Sequence, residues 1–133
     1  MSPDLNYLVW SAALCLVQAI IAVLGALQQV GLTELAGNRA EMPVIAGWAG
    51  RAQRAHRNML ENLALCAILV LVAHVTQRAN ATTALGAMVF FWARVAYAGI
   101  YVAGLPWLRT AAWAVSIVGL VMIFSQLSLG PIR

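Results

Sequence analysis

Leu8-Val-Trp-Ser-Ala-Ala-Leu-Cys-Leu-Val-Gln-Ala-Ile-Ile-Ala-Val-Leu-Gly-Ala-Leu-Gln-Gln-Val30 runs for 23 residues without a charge. At a helical rise of about 1.5 Å per residue, that length crosses a bilayer hydrocarbon core of about 30 Å. The stretch has no basic segment ahead of it and outlasts a signal peptide's apolar core, so it reads as a retained first span. After it, Gly31 to Gly50 mixes Glu34, Arg39 and Glu41 with Gly37, Pro43 and Gly47, which reads as an interfacial loop. A second span begins polar, with Arg51 to Asn58, and ends apolar, with Met59 to Val75.

Thr76 to Asn80 is a short link, and Ala81 to Ala103 is a third span interrupted only by Arg94. Gly104, Leu105 and Pro106 end it, because proline lacks the amide donor and clashes with the preceding turn. Ala111 to Leu129 is uncharged and closes on Gly130 and Pro131. The chain of 133 residues is thus expected to be a single all-α domain, an integral membrane up-down bundle of four helices. The spans fall at about 8–30, 55–75, 81–103 and 108–129.

Composition agrees. Apolar residues make up 63% and charged residues 9%, with no lysine, whereas a soluble domain carries roughly 25% charged residues. The net charge of +4 comes from arginines scattered among spans, which form no continuous basic face, so nucleic acid is not an expected partner. Cys15 and Cys66 lie in apolar runs and read as packing residues, and His56 and His74 stand apart, so no metal site is expected. Arg39, Arg51, Arg54, Arg57 and Arg109 collect on one side, against Arg78, Arg133 and the amino terminus on the other. The positive-inside rule then turns both termini away from the cytoplasm. Trp10, Trp48, Trp107 and Trp113 lie near span ends, at headgroup level.

Arg51, Arg54, Asn58 and Glu61 are spaced three, four and three apart and share one helical stripe. Arg94, Tyr97 and Tyr101 share another, so two polar stripes face the bundle from different spans. An arginine at mid-span costs about 2.5–3.5 kcal/mol on insertion scales and calls for an acidic partner or a polar cavity. Glu61 is the carboxylate placed deeply enough to serve. Two readings stand side by side: an Arg94–Glu61 ion pair that locks helices, or a ligand site. The surplus of Arg51, Arg54, Arg94 and Arg109 over one carboxylate favours an anionic ligand. Arg57 fits a juxtamembrane collar that attracts acidic lipid headgroups, and His56 points off the stripe.

The segment Arg51-Ala-Gln-Arg-Ala-His-Arg-Asn-Met-Leu-Glu-Asn62, followed by Arg94, Tyr97, Tyr101 and Arg109, resembles the MAPEG family, the membrane-associated proteins of eicosanoid and glutathione metabolism. The resemblance implies a four-helix homotrimer that binds glutathione as co-substrate between subunits on the cytoplasmic side. Arg54, Asn58 and Glu61 match residues that grip the tripeptide, with Glu61 receiving the glutamyl ammonium. Arg51 and His56 match positions lining the same pocket, Tyr97 and Tyr101 match tyrosines near the ligand, and Arg94 matches the arginine supporting them. Arg109 matches the residue that faces the thiol and is the expected catalytic group. The sequence departs from eicosanoid-forming members in lacking arginine at the end of the first span, and has Asn62 where one branch has tyrosine.

By this resemblance the chain is expected to be a glutathione transferase, with peroxidase activity as an accompanying expectation, acting on lipophilic electrophiles dissolved in the bilayer. Its host is expected to be a bacterial inner membrane, with lipids and its own copies as partners and detoxification as its role. One branch of the family binds lipid and scaffolds partners without catalysis, and this is the alternative.

Overall fold

The computed structural model describes residues 1–37 and 43–128. Four helices follow one another: α1 (Pro3–Ala36), α2 (Gly47–Val75), α3 (Ala81–Ala103) and α4 (Pro106–Ser128), with no strand among the described residues. Each is long and apolar enough to cross a membrane. Leu16, Ile20, Leu24, Leu65, Ile68 and Val118 point outward, so the bundle presents a hydrocarbon surface on its flanks. Arg39, Glu41, Gly130, Pro131 and Arg133, which the sequence sets in the first loop and beyond the fourth span, lie outside the described residues.

The helices outlast the apolar runs. Helix α1 does not end in a loop at Gly31: that residue leaves helical geometry, at φ 80° and ψ 167°, and the helix resumes as far as Ala36. The physical reason is apolar cover, because Leu35 buries against Ala26, Ile45 and Ala49. Helix α2 likewise starts at Gly47 rather than after Gly50. Its Ala46 N-cap offers no side-chain acceptor, so the composition gives no start signal. The cap comes from α1: Gln29 donates through Nε2 to the Ala46 carbonyl at 2.7 Å, and its Oε1 accepts from the Ala46 N–H at 2.9 Å.

Helix α3 carries its own start signal, a capping box. Asn80 Oδ1 accepts from the backbone N–H of Thr82 and Thr83, and Thr83 Oγ1 accepts from the Asn80 N–H at 2.8 Å. It ends at Gly104, whose φ of 82° is left-handed, and Pro106 opens α4.

Helices α2 and α3 form the central pair. Helix α1 packs on both, α4 packs on both, and α1 and α4 do not touch. Helices α3 and α4 approach backbone to backbone at Gly86 and Gly119, where a Cβ on either would stand 2.6 Å from the other's carbonyl oxygen. Around this crossing, Met59, Cys66, Val70, Phe90, Leu120 and Ile123 make the apolar core.

One end of the bundle is fastened by a carboxylate to which the sequence alone gives no role. Asp4, 2% exposed, accepts from Ser2 Oγ at 2.7 Å, from the Leu5 N–H at 3.0 Å and from Thr83 Oγ at 3.1 Å. His74 Nε2 lies 2.8 Å from its Oδ1, and must be the donor there because a carboxylate only accepts. Arg78 Nη1 donates to the Leu127 carbonyl, and Asn80 Nδ2 to Gln126 Oε1, so α4 is tied in at the same end.

Candidate functional site

The polar stripes of α2 and α3 do meet, at the opposite end. Arg51 Nε donates to the Val102 carbonyl at 2.9 Å, satisfying one of the acceptors that the end of α3 leaves open. Arg54 Nε donates to Tyr101 Oη at 3.2 Å. Deeper, Arg94 Nη2 donates to Asn58 Oδ1 at 2.9 Å, and the guanidinium lies 4.1 Å from the centre of the Tyr97 ring. The rings of Tyr97 and Tyr101 are 5.5 Å apart, and the Arg109 guanidinium is 4.8 Å from the Tyr101 ring centre.

Arg94 is 1% exposed, yet its Nε and Nη1 have no partner among the described residues. Of the two readings of Arg94, the ion pair with Glu61 is absent: no carboxylate of the described residues lies within 4.0 Å of Arg94, and its anchor is the neutral Asn58 amide. Helical geometry gives the reason. At about 100° per residue, Glu61 sits about 60° round the helix from Asn58, at the outer edge of the stripe, and is exposed. Asn62, one turn below Asn58, faces inward instead, 8% exposed. Its Nδ2 donates to the Asn58 carbonyl at 2.8 Å and to Asn58 Oδ1 at 3.2 Å.

Asn58, Tyr97, Arg109, Thr110 and Trp113 line an open hollow of about 130 Å³ between α2, α3 and α4. Its polar wall offers the Asn58 amide, the hydroxyls of Tyr97 and Thr110 and the Arg109 guanidinium, with no carboxylate in it, so it suits an electron-rich group. Pockets for whole drug-sized ligands run to about 300–1,000 Å³, so this one holds a single functional group.

His56 lies elsewhere. With Gln53, Arg57 and Leu60 it faces α1 across a second cavity of about 660 Å³, walled by alanines and leucines of α1. Of the expected ligand residues, then, Arg51, Arg54, Asn58, Arg94, Tyr97, Tyr101 and Arg109 gather in one cluster. His56 and Glu61 stand outside it in the single chain. Asn62, Thr110 and Trp113 are absent from the set expected from the sequence. The signal for Asn62 was its position one helical turn after Asn58.

Four membrane-length helices, with a cationic and aromatic hollow set near one end, define a multi-pass integral membrane protein of the four-helix bundle class. The MAPEG profile matches residues 7–129, nearly the whole chain, and the protein belongs to that family. No curated protein and no solved structure matches the chain significantly.

Proposed function

We propose that the protein is a glutathione-dependent membrane transferase that joins the glutathione sulfur to lipophilic electrophiles. The observation that carries this reading is the hollow in which Asn58, Tyr97 and Arg109 converge with no carboxylate in its wall. Only the thiolate form of a cysteine is a good nucleophile, and its free pKa near 8.5 leaves little of it at neutral pH. A guanidinium stays charged when partly desolvated, so Arg109 stabilises the sulfur anion as the thiol proton passes to solvent. The thiolate then attacks an electrophilic carbon, the new C–S bond forms, and a leaving group such as chloride departs with its electron pair. With a hydroperoxide the thiolate attacks the O–O bond, releasing the alcohol and leaving glutathione sulfenic acid, which a second glutathione converts to the disulfide and water.

The same reading takes the assembly as a homotrimer. Arg54 and Glu61 are both exposed on α2, Glu61 inside its membrane-spanning part, where uncovered charge is costly, and a second copy laid over them would complete the site. The hollow takes one end of the tripeptide, and Glu61 meets its glutamyl ammonium. The arginine-rich end faces the cytoplasm, both termini face away, and a bacterial inner membrane is the proposed host. A second reading has its own support: the 660 Å³ cavity against α1 is lined mostly by aliphatic side chains and suits a lipid chain, as in a non-catalytic lipid-binding or scaffolding protein.

Thermal-shift titration with glutathione separates the two, because a ligand that binds only the folded state stabilises it by about 2.7 kcal/mol at a hundred times its Kd. The transferase reading expects such a shift, thiolate absorbance in the ultraviolet, and conjugation of a chloronitrobenzene. Glu61→Ala and Arg54→Ala should lose the conjugation with the assembly intact. No shift at millimolar glutathione would overturn it.

A further inference from the structure

Within the cluster, Asn58 is the residue whose orientation is most tightly determined. Its Oδ1 accepts from Arg94 Nη2 at 2.9 Å and from Asn62 Nδ2 at 3.2 Å, which fills both lone pairs of that oxygen. The orientation is not open to the usual exchange of amide oxygen and nitrogen. A guanidinium has no acceptor, so the atom facing Arg94 must be the oxygen. Arg94 is sealed from the hollow, Asn62 is buried beneath Asn58, and neither lines the hollow that Asn58 does. The end of the amide left for the hollow is therefore its NH2, which has no acceptor among the described residues.

We infer that Asn62 and Arg94 are positioning residues that hold the Asn58 carboxamide with its NH2 toward the hollow, so that the ligand group seated there must be a hydrogen-bond acceptor. Both selectivity and architecture are affected. Arg109 also only donates, so two opposing walls of the hollow, from α2 and from α4, ask for the same kind of atom: a carboxylate, a thiolate or a carbonyl oxygen. An alkyl group placed there would leave both donors without an acceptor, and an ammonium would meet the like charge of Arg109, so both are disfavoured. Asn62 contributes without touching ligand. Its two bonds to Asn58 remove the freedom of the amide to turn its oxygen outward, and pre-ordering of this kind lowers the entropic cost of binding.

The inference rests on the transferase reading only for its choice of probe, glutathione, and the experiment keeps the two apart. In full-length protein in detergent, 15N-asparagine labelling observes five residues, among them Asn58 and Asn62. The Asn58 side-chain order parameter is expected to be high without any ligand, and to fall below about 0.6 in Asn62→Leu. With glutathione and a chloronitrobenzene, Asn62→Leu should raise the glutathione KM roughly three- to tenfold, as the loss of one ordinary hydrogen bond does, with a smaller change in kcat. Asn62→Gln keeps the donor and should recover part of the loss. Asn58→Asp keeps an acceptor for Arg94, and so the link between helices, but turns a second oxygen into the hollow. Its KM should rise more than tenfold.

An Asn58 amide equally ordered in Asn62→Leu would overturn the inference, as would Asn58→Asp binding glutathione like the unaltered protein. A rigid amide released by Asn62→Leu, in a protein that does not bind glutathione at all, would support the positioning and remove the transferase reading instead.

Discussion

Gly119→Ala sets two effects of opposite sign against each other, and the geometry decides between them. Alanine is the better helix former, by about 1 kcal/mol in a helix interior, so at an open position the change stabilises. Position 119 is not open. A Cβ there would stand 2.6 Å from the Gly86 carbonyl oxygen, 2.9 Å from the Phe90 nitrogen and 3.3 Å from the Phe90 Cα, all backbone atoms of α3. No side chain can rotate away, so α3 and α4 must separate by several tenths of an ångström along their crossing. Overpacking of this kind costs about 1–3 kcal/mol, and the rigidity of the neighbours places the case in the upper part of that range. The net expectation is a loss of about 1–2 kcal/mol.

Gly99→Ala is the control. Nothing lies within 4 Å of its Cβ, and the same substitution should add about 0.5–1 kcal/mol. Cys66, 1% exposed, and Cys15, 7% exposed, supply the assay, since a thiol-reactive dye labels them only as the bundle opens on heating in detergent. Gly119→Ala should open several degrees below the unaltered protein and Gly99→Ala slightly above it. If both variants shift upward, the close approach of α3 and α4 is wrong, and with it the placement of Arg109 and Thr110 opposite Tyr97.

Asp4→Ala should lower stability by about 1–3 kcal/mol in the same assay, because it removes the acceptor shared by Ser2, Leu5 and His74; an unchanged midpoint would show that the carboxylate fastens nothing. Gly104→Ala forces an alanine to a φ of 82° and should cost about 1–2 kcal/mol, read as an earlier opening of the bundle; an unchanged midpoint would show that the turn between α3 and α4 relaxes freely.

Much of this architecture can be read from the chain alone. The uncharged run from Leu8 to Val30 sets the first span, and the turn at Gly104 and Pro106 separates the last two. The spacing of Arg94, Tyr97 and Tyr101 places one cation and two phenols on one face of α3, and they meet α2 as the pattern suggests. What the pattern could not give was the identity of the partners. Charge matching pointed Arg94 to Glu61, but a helix turns through about 100° per residue, and the neutral Asn58 reaches it first. Asn62 left only its spacing, four residues after Asn58, and spacing alone does not name a partner until the fold turns both amides inward. Asp4 and His74 lie 70 positions apart, and only the packing of α1 on α2 brings them together. The clamp of Gln29 on Ala46 was hidden for the same reason, since a helix capped from another element leaves no mark in its own sequence.

Because α1 and α4 never meet, the two cavities have no wall in common except α2. The smaller is built without any residue of α1, and the larger without any residue of α3 or α4. Reshaping the aliphatic wall along Ala19, Val23 and Leu27 would thus change what the wide chamber admits while leaving the donors around Arg109 as they are. An engineer could retune one compartment at a time, with the second helix as the partition between them.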